Sequence, residues 1–307
     1  MKAVVCTRYG PPEVLALREV ETPLPRSDQL RIRIIASGVT ASDCLVRGFA
    51  VKPSLRVPMG IALGFGKPRR PILGMVFSGE VESIGSEVAS HHVGDPVFGC
   101  DFHQLRFGMY AEYVCVPTNG LLAPKPANLT HLEAAALPYG GLLALHFLQL
   151  GDVGPGKHVL IYGASGAIGT AAVQLAKNKG ARVTGVCGPT NVDLVRSLGA
   201  ESVIDYTRED FAESGEQYDF ILNAVGKAKA QLNSAHSLAP NGRHVTVDDG
   251  RPKVEVEQLL ELKELAERGA IRPVIDRCYP LEAIVEAHRY VEAGHKKGNV
   301  AIAIGPT

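Results

Sequence analysis

Three evenly spaced glycines, Gly163, Gly166 and Gly169, close the run His158-Val-Leu-Ile-Tyr-Gly-Ala-Ser-Gly-Ala-Ile-Gly169. An apolar stretch of strand character leads into them, and an apolar helical stretch ending near Lys177 leads out. In that setting glycine at 166 lets the backbone approach a pyrophosphate, and Gly169 lets the helix pack against its strand. The unpaired N–H groups of the first helical turn then face the phosphates. Gly163, Ala164, Ser165, Gly166, Ala167, Ile168 and Gly169 are therefore expected to bind a dinucleotide, the alternative being a tight strand-to-helix turn with no ligand.

A dinucleotide fold selective for NAD places an Asp or Glu about 20 residues beyond this loop, where it holds the ribose hydroxyls. Here the position reads Val186-Cys187-Gly188-Pro189-Thr190-Asn191, without a carboxylate. Asp193 is explained by the following helix, with Thr190 as its N-cap and the acid set against the helix dipole. Nothing there repels a 2′-phosphate, so NADP(H) is the expected cofactor, with Gly188, Thr190 and Asn191 beside it. Asn223 and Val247, at the ends of two further strands, join the cofactor-binding set.

These residues need a scaffold, and its pattern is visible. Strand and helix signals alternate after His158: strands at Arg182–Cys187, Ser202–Asp205, Tyr218–Leu222 and Arg243–Val247, with helices between, make parallel βαβ units. A helix at Val256–Arg268 closes this region. Before it, Leu132–Leu150 reads as a linking helix N-capped by Thr130 and broken by Pro138 and Gly140-Gly141. The first 120 or so residues are different in texture: Leu30, Ile32 and Ile34 alternate with Arg31 and Arg33, and Gly, Pro and Asp punctuate the stretch beyond them, which suggests a barrel of short antiparallel strands. The last segment, with a helix at Leu281–Ala293 and a strand at Asn299–Ile304, is expected to return to that barrel. The division is thus 1–122, 123–270 and 271–307. Residues Phe49–Arg70, apolar but rich in Pro and Gly, read either as a loop packed on the barrel or as a wall over a substrate pocket.

Lys plus Arg equal Asp plus Glu at 32 each, so no overall positive field favours nucleic acid or an anionic membrane. The six cysteines are scattered, without a CxxC pair or metal-ligand spacing, which suits a reducing cytoplasmic setting. Neither a signal-peptide core nor a membrane-spanning stretch is seen.

With Lys2-Ala-Val-Val, Gly10-Pro-Pro-Glu-Val14, Gly38-Val39, Val93-Gly-Asp-Pro-Val97, Tyr110-Ala-Glu-Tyr113, Glu133-Ala-Ala-Ala136, the 163–169 loop, Leu198-Gly-Ala200, Ile204-Asp-Tyr206 and Gly298-Asn-Val300 in order, the chain resembles the quinone oxidoreductase branch of the medium-chain dehydrogenase/reductase superfamily over nearly its whole length. The resemblance implies an α/β protein: a GroES-like barrel-type catalytic domain plus a doubly wound Rossmann nucleotide-binding domain, with a cleft between them. It also places Tyr206 at the 2′-phosphate. At the three positions where zinc-dependent members hold their metal this chain has Thr40, Met75 and Tyr139, which is no catalytic zinc set. Without that Lewis acid, carbonyl polarisation falls to hydrogen bonds. Thr40, where relatives often have Asn, offers a hydroxyl near the nicotinamide ribose or the substrate carbonyl. Tyr139 either donates to the substrate oxygen or plugs the former metal cavity with its ring. Relatives also carry a carboxylate at Val76, Thr at Leu143, and a Ser with a basic residue around Gly188 and Thr190 or Asn191. The insertion that relatives often have between Val247 and Val256 is absent, leaving a homodimer open.

Among other candidates, His91, His92 and His103 are the histidines that could serve as acids, but His91 and His92, just before the Val93-Gly94-Asp95 turn, read as solvated loop residues; His146 reads as a satisfied core histidine, and Asp43 with Arg47 as an ion pair bracing the loop. The expected activity is NADPH-dependent, zinc-independent reduction of a quinone, enone or small carbonyl compound. The alternative is an NADP(H)-binding structural or redox-sensing protein without turnover.

Overall fold

A computed structural model describes residues 1–51, 53–102, 105–227, 230, 234–250 and 252–305. Its elements run β1 (Lys2–Cys6), β2 (Leu15–Glu19), β3 (Gln29–Val39), α1 (Ala41–Gly48), α2 (Arg56–Leu63), β4 (Val76–Ile84), β5 (Pro96–Cys100), β6 (Tyr113–Pro117) and β7 (Leu121–Pro124). Next come α3 (His131–Leu150), β8 (His158–Tyr162), α4 (Ala167–Asn178), β9 (Arg182–Cys187), α5 (Val192–Ser197), β10 (Ser202–Asp205), β11 (Tyr218–Asn223) and β12 (Leu238–Thr246). The chain ends with α6 (Val256–Glu267), β13 (Ile275–Pro280), α7 (Ile284–Glu292) and β14 (Asn299–Ala303).

Two large sheets result. One is parallel, in the order β10-β9-β8-β11-β12, a nucleotide-binding order in which the glycine loop leaves the central strand β8. The other follows β13-β14-β3-β4-β5-β7, with β6 also paired to β3. The alternation along β3 explains its place: Leu30, Ile32 and Ile34 are buried inside the barrel, while Arg31 and Arg33 reach across to Glu82 and Glu80 of the antiparallel neighbour β4. The β14 strand pairs antiparallel to β3. Helix α7 packs against α1, where the buried Arg47 guanidinium meets the Glu292 carboxylate. Arg47 therefore turns to the C-terminal segment instead of pairing with Asp43.

Helix α3 is continuous through Pro138 and the two glycines. Thr130 caps it, accepting from the Glu133 N–H while Glu133 returns a carboxylate to the Thr130 N–H. Its glycines serve packing. A Cβ on Gly140 would come within 2.2 Å of the Ala167 carbonyl oxygen, and one on Gly141 within 2.7 Å of the Leu262 side chain. Residues 56–63, expected as part of a loop, form α2, since Pro58 falls in the first turn, where its missing N–H leaves no bond unmade. In the crossover expected to be helical after Tyr218–Leu222, the described residues hold only a short turn, Ala235–Ser237. His103 lies outside the described residues.

Candidate functional site

Strand β8 ends at Tyr162, and Gly163 takes a φ of +80°, which a side chain would strain; a Cβ there would also strike Val225 at 2.4 Å. The chain then turns so that Gly166 is the N-cap of α4, and, among the described residues, no side chain caps this helix. The glycines differ in what surrounds them. At Gly169 a Cβ would lie 2.1 Å from the Gly163 carbonyl oxygen and 2.7 Å from the Ala164 Cα, so this residue allows helix and loop to touch. At Gly166 the nearest protein atom to a Cβ would be the Gly163 oxygen at 3.5 Å, leaving the cradle in front of the helix N-terminus open. An uncapped first turn behind a cradle that a methyl group would fill fits a pyrophosphate. Ala164, Ala167 and Ile168 are buried beneath this loop.

The C-terminal segment reaches the same loop: the Gly298 N–H donates to the Ser165 carbonyl at 2.7 Å, and Gly166 and Gly298 form an isolated parallel bridge. Gly298 was visible in the sequence only as part of the resemblance, with no role attached.

On the other flank, the Asn191 amide donates to Ser165 Oγ at 3.2 Å, while its side-chain oxygen is buried without a hydrogen-bond partner among the described residues. Thr190 is exposed and does not form the helix cap expected of it from sequence. A 3₁₀ turn at Pro189–Asn191 intervenes, α5 starts at Val192 with Asn191 as N-cap, and the exposed Asp193 lies 3.8 Å from Arg196. A Cβ on Gly188 would point toward the Tyr206 hydroxyl at 3.5 Å, and the Tyr206 ring is largely exposed. Gly188, Asn191 and Tyr206 thus border one open edge beyond β9 that carries no carboxylate from β9. Asp205, at the end of β10, is spent on the Thr207 N–H and hydroxyl. Across the sheet, Asn223 is buried and committed: its oxygen accepts from the Val225 and Gly226 N–H groups and its amide donates to the Ala230 carbonyl. Val247 donates its N–H to the Asn223 carbonyl at 3.1 Å and packs on the core.

Tyr139 meets the helix that Thr40 caps through a residue the sequence did not single out. The Tyr139 hydroxyl lies 3.1 Å from Ser42 Oγ, on α1 two residues beyond Thr40, and its ring meets Phe102 edge-on at 5.8 Å. No sequence signal links residues 97 apart. Burial holds the Tyr139 phenol above its ordinary pKa, so it keeps its proton. Thr40 is the N-cap of α1: its hydroxyl accepts from the Asp43 N–H and donates to Asp43 Oδ2 at 2.6 Å. That single donor is used, which leaves Thr40 one lone pair to offer. Asp43 is pushed up to about 6 by burial, against the hydrogen bonds from Thr40 that favour its charge. Met75 is buried in an apolar cluster with Val39 and Cys44. A hydroxyl, a thioether and a phenol do not fit a catalytic zinc, and among the described residues no three His, Cys, Asp or Glu side chains gather to hold a metal.

His91, His92 and His146 have partners other than Thr40, Ser42 and Tyr139. The side chain of His92 is exposed near Asp95, and His91 bonds Ser90. His146 is only partly buried, edge-on to Phe147, and burial lowers its pKa.

The Alcohol dehydrogenase GroES-like domain family matches residues 26–127 and the Zinc-binding dehydrogenase family residues 167–286. A 2-methylene-furan-3-one reductase of Solanum lycopersicum is 32% identical over 98% of this chain and 79% of its own length. An NADPH-dependent alkenal/one oxidoreductase of Arabidopsis thaliana, a chloroplastic protein, is 28% identical over 98% of this chain and 79% of its own. The structure of the quinone oxidoreductase from Coxiella burnetii superposes with a TM-score of 0.88 at 30% identity, covering 99% of both chains. With its glycine loop on the central strand of the parallel sheet and its barrel alongside, the chain belongs to the medium-chain dehydrogenase/reductase superfamily of oxidoreductases, in the quinone oxidoreductase-like branch.

Proposed function

We propose that this chain is an NADPH-dependent, zinc-independent reductase of enones, quinones or small carbonyl compounds, acting in a cytoplasmic setting. The observation that carries the reading is the open cradle at Gly166 before an uncapped helix, bordered by an edge from which β9 presents no acid. The names of the relatives support enones and quinones as the substrate class. NADPH, when bound, supplies the hydride. The 163–169 loop would hold its pyrophosphate, Gly188, Thr190, Asn191 and Tyr206 its 2′-phosphate side, and Asn223 and Val247 would shape the sheet edge. Loss of the reduced-nicotinamide absorbance when NADPH meets a panel of quinones, enones and aldehydes tests the reading; binding without turnover across the panel would favour a cofactor-binding protein instead.

The missing carboxylate predicts that NADPH binds more tightly than NADH. In Gly188→Asp the new acid would stand against the phosphate and reach toward the ribose hydroxyls, reversing the order in a titration with both nucleotides. Equal affinities in the native chain would defeat the assignment. The Thr40, Met75 and Tyr139 set predicts activity that survives exhaustive chelation, and metal analysis without stoichiometric zinc.

In this reading Tyr139 donates to the acceptor oxygen, because its phenol keeps its proton, and Ser42 passes a replacement proton inward from solvent. Thr40, its hydrogen held by Asp43, can only accept, which suits a ribose hydroxyl better than a carbonyl. Tyr139→Phe should therefore lower kcat by about tenfold or more with little change in NADPH affinity. Thr40→Val should cost about 1 kcal/mol of stability through the lost cap and weaken the cofactor. A Tyr139→Phe variant with undiminished kcat would leave solvent as the proton source.

A further inference from the structure

The net charge of zero hides a strongly one-sided segment. No Asp or Glu occurs between Asp43 and Glu80, while Arg47, Lys52, Arg56, Lys67, Arg69 and Arg70 do. Arg47 is buried against Glu292, but Arg56, Lys67, Arg69 and Arg70 are exposed and, among the described residues, form no ion pair. The same segment carries the apolar α2. Its inner side is anchored: Met59 and Leu63 join the core beneath, the Tyr9 hydroxyl donates to the Gly64 carbonyl at 3.1 Å, and the Tyr9 ring lies 4.6 Å from that of Phe49. Its outer side is bare. Val57 and Ile61, one helical turn apart, are 64% and 58% exposed, and Phe65, just past the helix end, is 65% exposed, with its ring laid over the Gly60 backbone. Large apolar side chains held outward on a fixed element have a cost in water that a partner would remove.

We infer that this face docks the protein on an anionic lipid bilayer, with Val57, Ile61 and Phe65 entering the interface and Arg56, Lys67, Arg69 and Arg70 meeting the headgroups. Charge complementarity selects this occupant. A second copy bound through the same patch would set four cations against four, with no carboxylate in the segment to relieve them. At a bilayer, the aliphatic stems of Lys and Arg lie along the apolar layer while their heads stay with the phosphates. No described helix is long and apolar enough to cross a membrane, so the contact is peripheral.

Flotation of the full chain tests this with vesicles of phosphatidylcholine alone and vesicles that also contain phosphatidylglycerol. Binding is expected only to the second kind, weakening as salt is added. Each of Arg69→Gln and Arg70→Gln should lower the partition coefficient roughly fivefold, and Ile61→Asp with Phe65→Asp should abolish binding. Unchanged thermal unfolding without vesicles would show that these surface variants fold. The proposal is overturned if the native chain ignores anionic vesicles at low salt, or if binding survives the double apolar-to-acid change. It is also overturned if light scattering without vesicles shows an oligomer that the same change dissolves, or if an acidic protein, and not the vesicle, is bound through the patch.

Discussion

Replacing Gly166 with alanine is expected to weaken NADPH binding by about 10- to 100-fold while leaving the fold intact. The φ of −79° and ψ of 178° at this residue are open to any amino acid, and the added methyl would sit in ordinary contact, 3.5 Å from the Gly163 oxygen. The change costs the helix at most about 1 kcal/mol, the difference between glycine and alanine at an N-cap. What the methyl occupies is the cradle itself. A pyrophosphate moved outward loses charge-assisted hydrogen bonds to the first-turn N–H groups, each worth about 1.5–3 kcal/mol, which corresponds to the stated range for one bond. The matching Gly169→Ala change should do the reverse. Its methyl would meet backbone at 2.1 and 2.7 Å, neither of which is a flexible side chain, so stability falls by roughly 1–3 kcal/mol or more. Calorimetric titration with NADPH, alongside thermal unfolding of both variants, separates the two roles. Native affinity in a folded Gly166→Ala protein would remove the cradle from the cofactor site.

That contrast marks how far the sequence could be read. The strands at 158–162 and 182–187 are legible because buried parallel strands are written as short, mostly apolar runs closed by Gly, while the edge strand at 202–205 is only a short Val-Ile pair closed by Asp. Order and spacing of these runs also indicated the α/β architecture, and the alternation of Leu30, Ile32 and Ile34 with arginines marked the barrel strand. Local rules failed where a distant partner decided the outcome. Gly140 and Gly141 look like helix breakers, yet they lie within a continuous helix because Ala167 and Leu262 press against them. Arg47 had Asp43 four residues away but found Glu292, 245 residues on. Ser42 gives no signal at all, since its meeting with Tyr139 exists only after barrel and helix α3 have docked. The short 3₁₀ turn at Pro189–Asn191 displaced the expected Thr190 cap and freed Asn191 to reach Ser165.

The buried cluster behind Thr40 should show an unusual balance against acid. His288 is fully buried, with Nδ1 3.5 Å from Cys44 Sγ, Nε2 without a hydrogen-bond partner among the described residues and its ring edge-on to Tyr110 at 5.7 Å. Burial, with the Arg47 charge adding to it, pushes its pKa down to about 3. A pKa depressed on folding means that the unfolded chain binds the extra proton first. The stability His288 contributes is therefore complete above the unfolded value near 6.5 and is lost at about 1.4 kcal/mol per pH unit as pH falls toward 3. Asp43 works in the opposite sense. Its pKa is raised to about 6 by burial, so the folded chain takes up the proton first, and stability is gained as pH falls from about 6 toward the unfolded value near 3.9. Over the window from about 6 to 4 the two slopes offset each other, and the native protein should respond weakly to acid there through this cluster. Removing either group exposes the other. Asp43→Asn retains an oxygen for the Thr40 N–H and hydroxyl but cannot titrate, so it should lose about 3 kcal/mol relative to the native chain between pH 6 and 4. His288→Gln should instead gain stability over the same interval. Thermal unfolding of the three proteins at stepped pH gives the slopes directly, and an Asp43→Asn profile parallel to the native one would show that the two groups do not share this balance.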